Sequence, residues 1–176
     1  VKKVSLELGG NASFVVFDDA DIDEAVKGAL AAKFRNSGQT CVCANRFFVQ
    51  ADIHDKFVEN FTAAVKQLRV GPGSEADVAV GPLIDARAFE KVTTLVADAV
   101  RHGANIEAEG NVGALGGHFF PPTVLTAVNS DMRLAHEEIF GPVAPIFKFD
   151  IESDVIRLAN DTEFGLASYF YSKDIS

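Results

Sequence analysis

The stretch FRNSGQTCVC, residues 34–43, contains both cysteines of the chain, Cys41 and Cys43, shortly after Gly38. A bridge between residues so close in sequence constrains little of the unfolded chain, so the pair does not look like a stabilising disulfide framework. A thiolate is a nucleophile and an oxidisable group, whereas a buried thiol behaves as a small apolar side chain. The spacing therefore leaves covalent catalysis, redox chemistry and simple packing open.

Other signatures of chemistry in the sequence are incomplete. The segment HEEIF begins like a zinc-binding helix at His136, but Phe140 stands where a second histidine is required. The four histidines are scattered and the cysteine spacing fits no metal-ligand pattern, so no metal site is predicted. No glycine cluster completes the dinucleotide-binding G-x-G-x-x-G signature and no P-loop is present. We expect most of any nucleotide site to lie elsewhere.

Two glutamates stand in glycine-containing segments that are able to supply chemistry beside a thiol. Glu7 precedes the glycine pair of LELGGN, and Glu138 lies in EEIFGPV. Each has a structural explanation when taken singly, because glycine pairs make tight turns and solvated carboxylates are common on surfaces. The occurrence of Glu7, Cys41 and Glu138 in this order on one chain is more informative than any of the three residues alone.

Composition and charge narrow the range of partners. The 176 residues are 48% apolar and include 15 phenylalanines, enough for one domain with a substantial core. The net charge of −9 and the lack of a Lys/Arg run predict no binding to nucleic acid or anionic membranes. No apolar run approaches the roughly 20 residues that cross a bilayer, and the N-terminus lacks a signal peptide's apolar segment. We expect a soluble, cytoplasmic protein.

Helices and strands alternate along the chain and must position these residues. Apolar spacing predicts helices over residues 22–34, 53–68, 89–102 and 154–160. Strands are predicted at NRFFVQ, ANIEAE, PTVLTAV, APIFKF and ASYFYS. This alternation is typical of an α/β fold with a mostly parallel sheet flanked by helices. The first helix then delivers the chain to the loop that carries Cys41.

Together these segments resemble the aldehyde dehydrogenase family. The resemblance rests on FRNSGQTCVCANRFFVQ, VGPLID, FFPPTVL, EEIFGPV and NDTEFGLASYFYSKD, and it is strongest for the succinate-semialdehyde branch. It implies oxidation of an aldehyde to a carboxylic acid with NAD or NADP. It also implies that residues 1–176 are the catalytic domain of a longer enzyme, lacking the nucleotide-binding domain and a C-terminal returning segment. Such a domain is expected to be inactive alone.

The resemblance assigns catalytic and cofactor roles by position. Cys41 is implied as the nucleophile, which captures the aldehyde as a thiohemiacetal and then holds the product as a thioester. Glu7 is implied as the base that activates water to hydrolyse this thioester. Glu138 and Phe140 match positions at the nicotinamide end of the cofactor, where a carboxylate can bind ribose hydroxyls and a ring can pack beside them.

Arg35 and Cys43 carry more specific implications. Arg35 stands where related enzymes for semialdehydes of dicarboxylic acids place an arginine for the distal carboxylate, so succinate semialdehyde is the expected substrate. An arginine that snorkels from a helix end is the structural alternative. Cys43 is implied as a reversible disulfide partner of Cys41; such a bridge needs Cα atoms within about 6.8 Å and therefore a rearranged loop. Packing is the alternative for Cys43.

Three classes of function stay open on the sequence alone. The first is the semialdehyde dehydrogenase just described, with a broad-range aldehyde dehydrogenase as its nearest variant. The second is a thiol acyl hydrolase or transferase that uses Cys41 and Glu7 without a nucleotide. The third is a non-catalytic assembly module, because catalytic domains of this family also carry subunit contacts. For the full-length enzyme we expect a homo-oligomer.

Overall fold

The alternating segments fold into one mixed sheet with helices on both faces, in a computed structural model that describes residues 1–174. The strands are β1 Ala12–Val16, β2 Ala44–Gln50, β3 Asn105–Glu109, β4 Thr123–Thr126, β5 Val143–Phe149 and β6 Ser168–Tyr171. The helices are α1 Ile22–Phe34, α2 Ala51–Val65, α3 Ala86–Arg101 and α4 Glu152–Asn160. Two short 3-10 turns cover Arg35–Gly38 and Arg133–Ala135.

The six strands lie in the order β3-β4-β5-β2-β1-β6. Four of the neighbouring pairs are parallel, and only β3 and β4, joined by the glycine-rich loop, run antiparallel. The predicted α/β class with a mostly parallel sheet is confirmed.

All four predicted helices form, with boundaries shifted by a few residues. Asp21 caps α1 by accepting hydrogen bonds from the backbone N–H groups of Asp23 and Glu24, as its place before the apolar period suggests. Asp85 caps α3 in the same way through the N–H of Ala88. The helix predicted over 53–68 begins earlier and ends at Val65, because the chain turns there toward the next segment.

Strand β1 is the element for which the sequence analysis gave no prediction. Its five residues are all buried, since β1 lies between β2 and β6 and is covered on both faces. Phe14 and Val16 contact the layer formed by α1 and α2, whereas Val15 contacts the opposite layer formed by α3 and α4. Apart from Ser13 the strand is an apolar run, as expected of a parallel strand that is covered on both faces.

The core is two apolar layers, one on each face of the sheet. On one face Phe47 of β2 contacts Phe61 of α2, with ring centroids 5.7 Å apart. On the other face Phe48 and Phe147 pair at 5.2 Å beneath α3 and α4. Burial of each such ring contributes about 1.5–3 kcal/mol, so the sheet is a rigid base for the loops that leave it.

Three loops meet at the edge where the parallel strands β5, β2 and β1 begin, since neighbouring parallel strands start on the same side. They carry Gly10, Cys41 and Glu138. The backbones approach so closely that a Cβ on Gly10 would lie 2.1 Å from the Cys41 carbonyl oxygen. A Cβ on Gly38 would lie 2.1 Å from the Gly141 carbonyl oxygen, so glycine is required at both positions.

Within residues 1–174, no helix combines the length and the apolar character needed to cross a membrane.

Candidate active site

The three converging loops enclose a cavity of about 410 Å³ that brings four of the predicted site residues together. Its lining residues are Glu7, Leu8, Gly9, Gln39, Thr40, Cys41, Glu138 and Phe140. Cys41 is half-buried, and its thiol donates a hydrogen bond to Glu7 with 2.8 Å between Sγ and Oε1. Arg35 and Cys43 do not line this cavity.

The turn that carries Cys41 is held from three sides. The N–H of Cys43 donates to the carbonyl of Thr40, at 3.0 Å, which closes the turn on itself. The hydroxyl of Tyr169 on β6 donates to the carbonyl of Val42, at 2.7 Å, between the two cysteines. The amide of Gln39 accepts from the N–H of Ile84, at 2.9 Å, and so ties the turn to a neighbouring loop. Cys41 is therefore presented on a fixed backbone.

A sharp reversal precedes this turn. Asn36, Ser37 and Gly38 have φ values of 53°, 58° and 75°, and the left-handed region costs a non-glycine residue roughly 1–2 kcal/mol. The Ser37 hydroxyl offsets part of this cost by bonding both the N–H and the carbonyl of Gly81, at 2.9 and 3.0 Å. The reversal redirects the chain from the end of α1 to the sheet edge.

The electrostatics of the pair favour a protonated thiol at rest. The hydrogen bond to Glu7 raises the pKa of Cys41, because the carboxylate stabilises the thiol and repels a thiolate. The same carboxylate lies where it can accept the thiol proton when the sulfur attacks. Glu7 sits in the exposed segment 1–9, so it is not fixed to the sheet as Cys41 is.

Glu138 presents one carboxylate oxygen to the cavity. Its Oε1 accepts a hydrogen bond from the N–H of Gly10 at 3.0 Å. A Cβ on Gly9 would lie 2.9 Å from Oε2, so glycine there keeps this second oxygen accessible. Phe140 lies half-buried beside it with φ 54°. An open carboxylate next to an aromatic ring fits a ribose carrying a flat ring.

Arg35 and Cys43 lie beside the loop that carries Cys41, in different surroundings. Arg35 is exposed at the end of α1, and its guanidinium makes no hydrogen bond or ion pair within residues 1–174. Cys43 is buried, with its Sγ 3.7 Å from the Lys33 carbonyl oxygen, and burial raises the pKa of this thiol. The structure thus directs the two thiols to separate partners: Cys41 toward Glu7 and Cys43 toward the end of α1.

Lys33 is a feature of the site region for which the sequence analysis assigned no role. Its side chain is fully buried, and its Nζ has no hydrogen-bond partner within the described part of the chain. Burial lowers the pKa of Lys33 to about 8, although Cys43 and Glu138 partly oppose this shift. The signal in the sequence is a lysine one helical turn after Ala29, on the buried face of α1.

Asn45, Lys91 and Tyr169 also contact the site loops, and sequence reasoning missed them. Asn45 bonds backbone groups on both sides of Glu138, and Lys91 bonds the carbonyl of Glu138 itself. The backbone groups that these side chains bond lie tens of residues away along the chain, so no local sequence pattern predicts the contacts. Among residues 1–174, no group of three or more His, Cys, Asp or Glu side chains is arranged to hold a metal ion.

The sequence model of the aldehyde dehydrogenase family matches residues 1–176, which is the whole chain. The chain belongs to the aldehyde dehydrogenase family. It is 60% identical over 175 residues to a 3-sulfolactaldehyde dehydrogenase of Pseudomonas putida, covering 99% of this chain and 36% of that relative. It is 56% identical over 176 residues to a succinate-semialdehyde dehydrogenase [NADP(+)] of Escherichia coli K12, covering 100% of this chain and 36% of the relative.

Solved structures of the family share the fold. The crystal structure of succinate-semialdehyde dehydrogenase from Burkholderia pseudomallei matches with a TM-score of 0.95 and 57% identity, over 99% of this chain and 36% of that one. The resemblance found in the sequence is confirmed. This chain of the aldehyde dehydrogenase family spans about a third of the length of the relatives that it matches.

Proposed function

We propose that this chain is the cysteine-bearing catalytic domain of a longer NAD(P)-dependent aldehyde dehydrogenase, whose substrate is succinate semialdehyde. The observation that carries the proposal is the contact of 2.8 Å between Cys41 Sγ and Glu7 Oε1, beside the open carboxylate of Glu138. Homo-oligomeric assembly of the longer enzyme and a cytoplasmic location stay predictions from the sequence.

Covalent capture begins at Cys41. As the thiol proton moves to the Glu7 carboxylate, the sulfur adds to the aldehyde carbon, and the carbonyl π electrons become an alkoxide in a thiohemiacetal. A bound NAD or NADP would supply the hydride acceptor that this carbon needs for its carbonyl to re-form. Cys41 then carries a thioester, and the fixed turn keeps its carbonyl at the mouth of the cavity.

Hydrolysis returns the enzyme to its starting state. Glu7 first releases the proton that it took from Cys41 to solvent, and its carboxylate then accepts a proton from water as the water oxygen attacks the thioester carbonyl. The carbon–sulfur bond then breaks, the carboxylic acid leaves, and Cys41 departs as a thiolate that regains a proton. The exposed position of Glu7 suits both tasks, since the carboxylate must leave the sulfur to reach a water molecule.

The cofactor site within this chain is limited to its nicotinamide end. Glu138 would accept hydrogen bonds from ribose hydroxyls through its open oxygen, and Phe140 would pack beside the ring. The relative from E. coli is named as NADP(+)-dependent. Both NAD and NADP are within the proposal, because Glu138 and Phe140 would contact the nicotinamide end that the two cofactors share.

Arg35 supports an acidic substrate. Its guanidinium is exposed, is free of protein partners in residues 1–174, and stands at the start of the loop that carries Cys41. Each of the two relatives is named for an aldehyde that carries an acidic group at its far end. This group is a sulfonate in one aldehyde and a carboxylate in the other. A guanidinium offers paired donors to either group.

A substrate panel on the intact enzyme tests the proposal. Succinate semialdehyde and an uncharged aldehyde of similar length are compared with NAD and with NADP, in the wild type and in Arg35→Ala. We expect Arg35→Ala to lower kcat/KM for succinate semialdehyde about 10- to 100-fold, because charge-assisted hydrogen bonds contribute about 1.5–3 kcal/mol. The value for the uncharged aldehyde should change little.

The same panel separates the alternatives. A uniform loss for both aldehydes in Arg35→Ala would indicate a broad-range aldehyde dehydrogenase in which this arginine is structural. Cleavage of thioesters without any nucleotide, combined with no aldehyde oxidation, would indicate a thiol hydrolase instead.

A further inference from the structure

The peptide groups around Glu138 are held by two side chains from other elements. Asn45 of β2 donates from Nδ2 to the Glu137 carbonyl at 3.1 Å and accepts at Oδ1 from the Ile139 N–H at 3.0 Å. Lys91 of α3 donates from Nζ to the Glu138 carbonyl at 2.6 Å. We call Asn45 and Lys91 the Glu138 clamp.

The amide of Asn45 is itself fixed in orientation. Asn45 is 3% exposed, and its Nδ2 also donates to Oδ1 of Asn11, at 2.6 Å. Asn11 in turn donates to the Ala135 carbonyl at 3.2 Å. Both Nδ2 and Oδ1 of Asn45 therefore have hydrogen-bond partners. The amide is fixed in orientation and holds the loop in place relative to the sheet.

The loop needs such support because it lacks regular structure of its own. Residues 136–142 form neither a helix nor a strand, and Phe140 has φ 54°, a conformation that is unfavourable for a bulky residue. The Glu138 carboxylate is anchored through a single hydrogen bond, which its Oε1 accepts from the Gly10 N–H. Loss of the clamp would let the peptide shift and carry the open oxygen away from its place in the cavity.

We propose that Asn45 and Lys91 are positioning residues that set the affinity for the dinucleotide by holding Glu138. The inference rests on the proposed function, in which Glu138 binds the nicotinamide ribose. The clamp bonds the backbone of residues 137–139, and neither Asn45 nor Lys91 lines the cavity with Cys41. We therefore expect loss of the clamp to weaken dinucleotide binding and to leave the capture of the aldehyde by Cys41 unchanged.

Calorimetric titration of the intact enzyme with its preferred dinucleotide tests the clamp without relying on turnover. We expect Asn45→Ala to raise the dissociation constant about 5- to 50-fold, because two backbone groups lose their partners. Lys91→Met should raise it about 2- to 10-fold, since one hydrogen bond is lost at an exposed site with little risk to folding. The Michaelis constant for the aldehyde should stay within about twofold in both variants.

Gln50→Ala is the matched control. Gln50 ends the same strand β2 at the opposite edge, where its amide accepts from the Asp18 N–H at 2.9 Å and donates to the Asp150 carbonyl at 3.4 Å. Like Asn45→Ala, this variant removes a side-chain amide that bonds two backbone groups, but it does so far from Glu138. We therefore expect a loss of stability with unchanged dinucleotide affinity.

A double-mutant cycle with Glu138→Gln decides whether the clamp acts through this carboxylate. If it does, adding Asn45→Ala or Lys91→Met to Glu138→Gln weakens binding by less than about twofold. Equal effects in both backgrounds would overturn the inference, as would Lys91→Met with wild-type affinity. If Asn45→Ala does not fold, Lys91→Met alone supports or overturns it. A wild-type enzyme without NAD(P)-dependent aldehyde oxidation would instead overturn the proposed function.

Discussion

At the scale of single residues, Cys41 and Glu7 are distinguished by the step that each substitution stops. Cys41→Ala removes the sulfur and should abolish turnover in the intact enzyme. Glu7→Gln should still form the acyl-enzyme but hydrolyse it about 10²- to 10⁴-fold more slowly, the usual contribution of a general base. Quenched-flow mass spectrometry detects the accumulated thioester. A steady-state rate unchanged in Glu7→Gln would assign water activation to another group.

The pKa of Cys41 gives the same pair a second readout. Because the hydrogen bond from the thiol to Glu7 raises this pKa, Glu7→Gln should lower it. The rate of alkylation by iodoacetamide, measured against pH, should therefore rise at a lower pH in the variant than in the wild type. The inert thiol of Cys43 is removed by using a Cys43→Ala background for both proteins.

Lys33 predicts an unusual dependence of stability on pH. Its pKa is about 8 in the fold and near its ordinary value of 10.5 in the unfolded chain. Below pH 8 both states carry the proton, and the fold bears the full cost of a buried ammonium. Between these two values the unfolded state binds more protons, so stability rises with pH.

Lys33→Met should remove this cost and raise the free energy of unfolding at neutral pH by on the order of 2–3 kcal/mol. The gain should shrink as pH rises from 8 toward 10.5, where the wild-type amine becomes neutral in both states. Urea unfolding at several pH values measures both trends. A methionine variant less stable than the wild type at neutral pH would show that the ammonium has a favourable partner in solution.

At the scale of secondary-structure elements, sequence periodicity predicted the helices, whose apolar faces depend on neighbouring residues. It did not predict contacts between residues that are distant along the chain. The face of α1 is readable because Val26, Leu30 and Phe34 recur every four residues. Strand β1 was not predicted, because a run of only five residues shortly after a glycine pair is too short for periodicity to distinguish a strand from a loop. Asn45 was not predictable, because its partners Glu137 and Ile139 are 92 and 94 residues away.

Strand β6 should restrain oxidation of the cysteine loop. A disulfide between Cys41 and Cys43, proposed from the family resemblance, forms when peroxide takes two electrons from the two thiols and is reduced to water. The turn must rearrange first, because Cys43 faces the end of α1 and Tyr169 holds the Val42 carbonyl. Loss of this hydrogen bond should therefore speed the reaction.

We expect Tyr169→Phe to accelerate formation of the Cys41–Cys43 linkage about 2- to 10-fold, the effect of losing one hydrogen bond. Mass spectrometry after timed exposure to peroxide measures the linkage through the loss of two hydrogens. Tyr171→Phe is the matched control on the same strand, and Cys43→Ala is the control without a second thiol. If the linkage never forms in any of these proteins, Cys43 is a packing residue.

At the scale of the whole molecule, the site in this chain is incomplete in two respects. Glu7 lies in an exposed segment whose apolar neighbours Val4, Leu6 and Leu8 are 74%, 72% and 69% exposed, so nothing in residues 1–174 covers it. In the proposed function Glu138 and Phe140 contact one end of a dinucleotide, and the sequence has no glycine signature for its phosphates. The chain spans about 36% of the relatives that share its fold.

We therefore predict that the 176-residue chain alone folds but does not reduce NAD or NADP when given succinate semialdehyde. The sheet has covered faces and an apolar layer on each, so circular dichroism should report a cooperative unfolding transition. Cys41 lies at the surface of this fold and should still react with iodoacetamide, whereas the chain with Cys41→Ala should not, since Cys43 is buried. Labelling without turnover would separate an intact nucleophile from a missing cofactor site. Aldehyde-dependent cofactor reduction by the purified chain, above that of its Cys41→Ala variant, would mean that these residues bind the dinucleotide unaided.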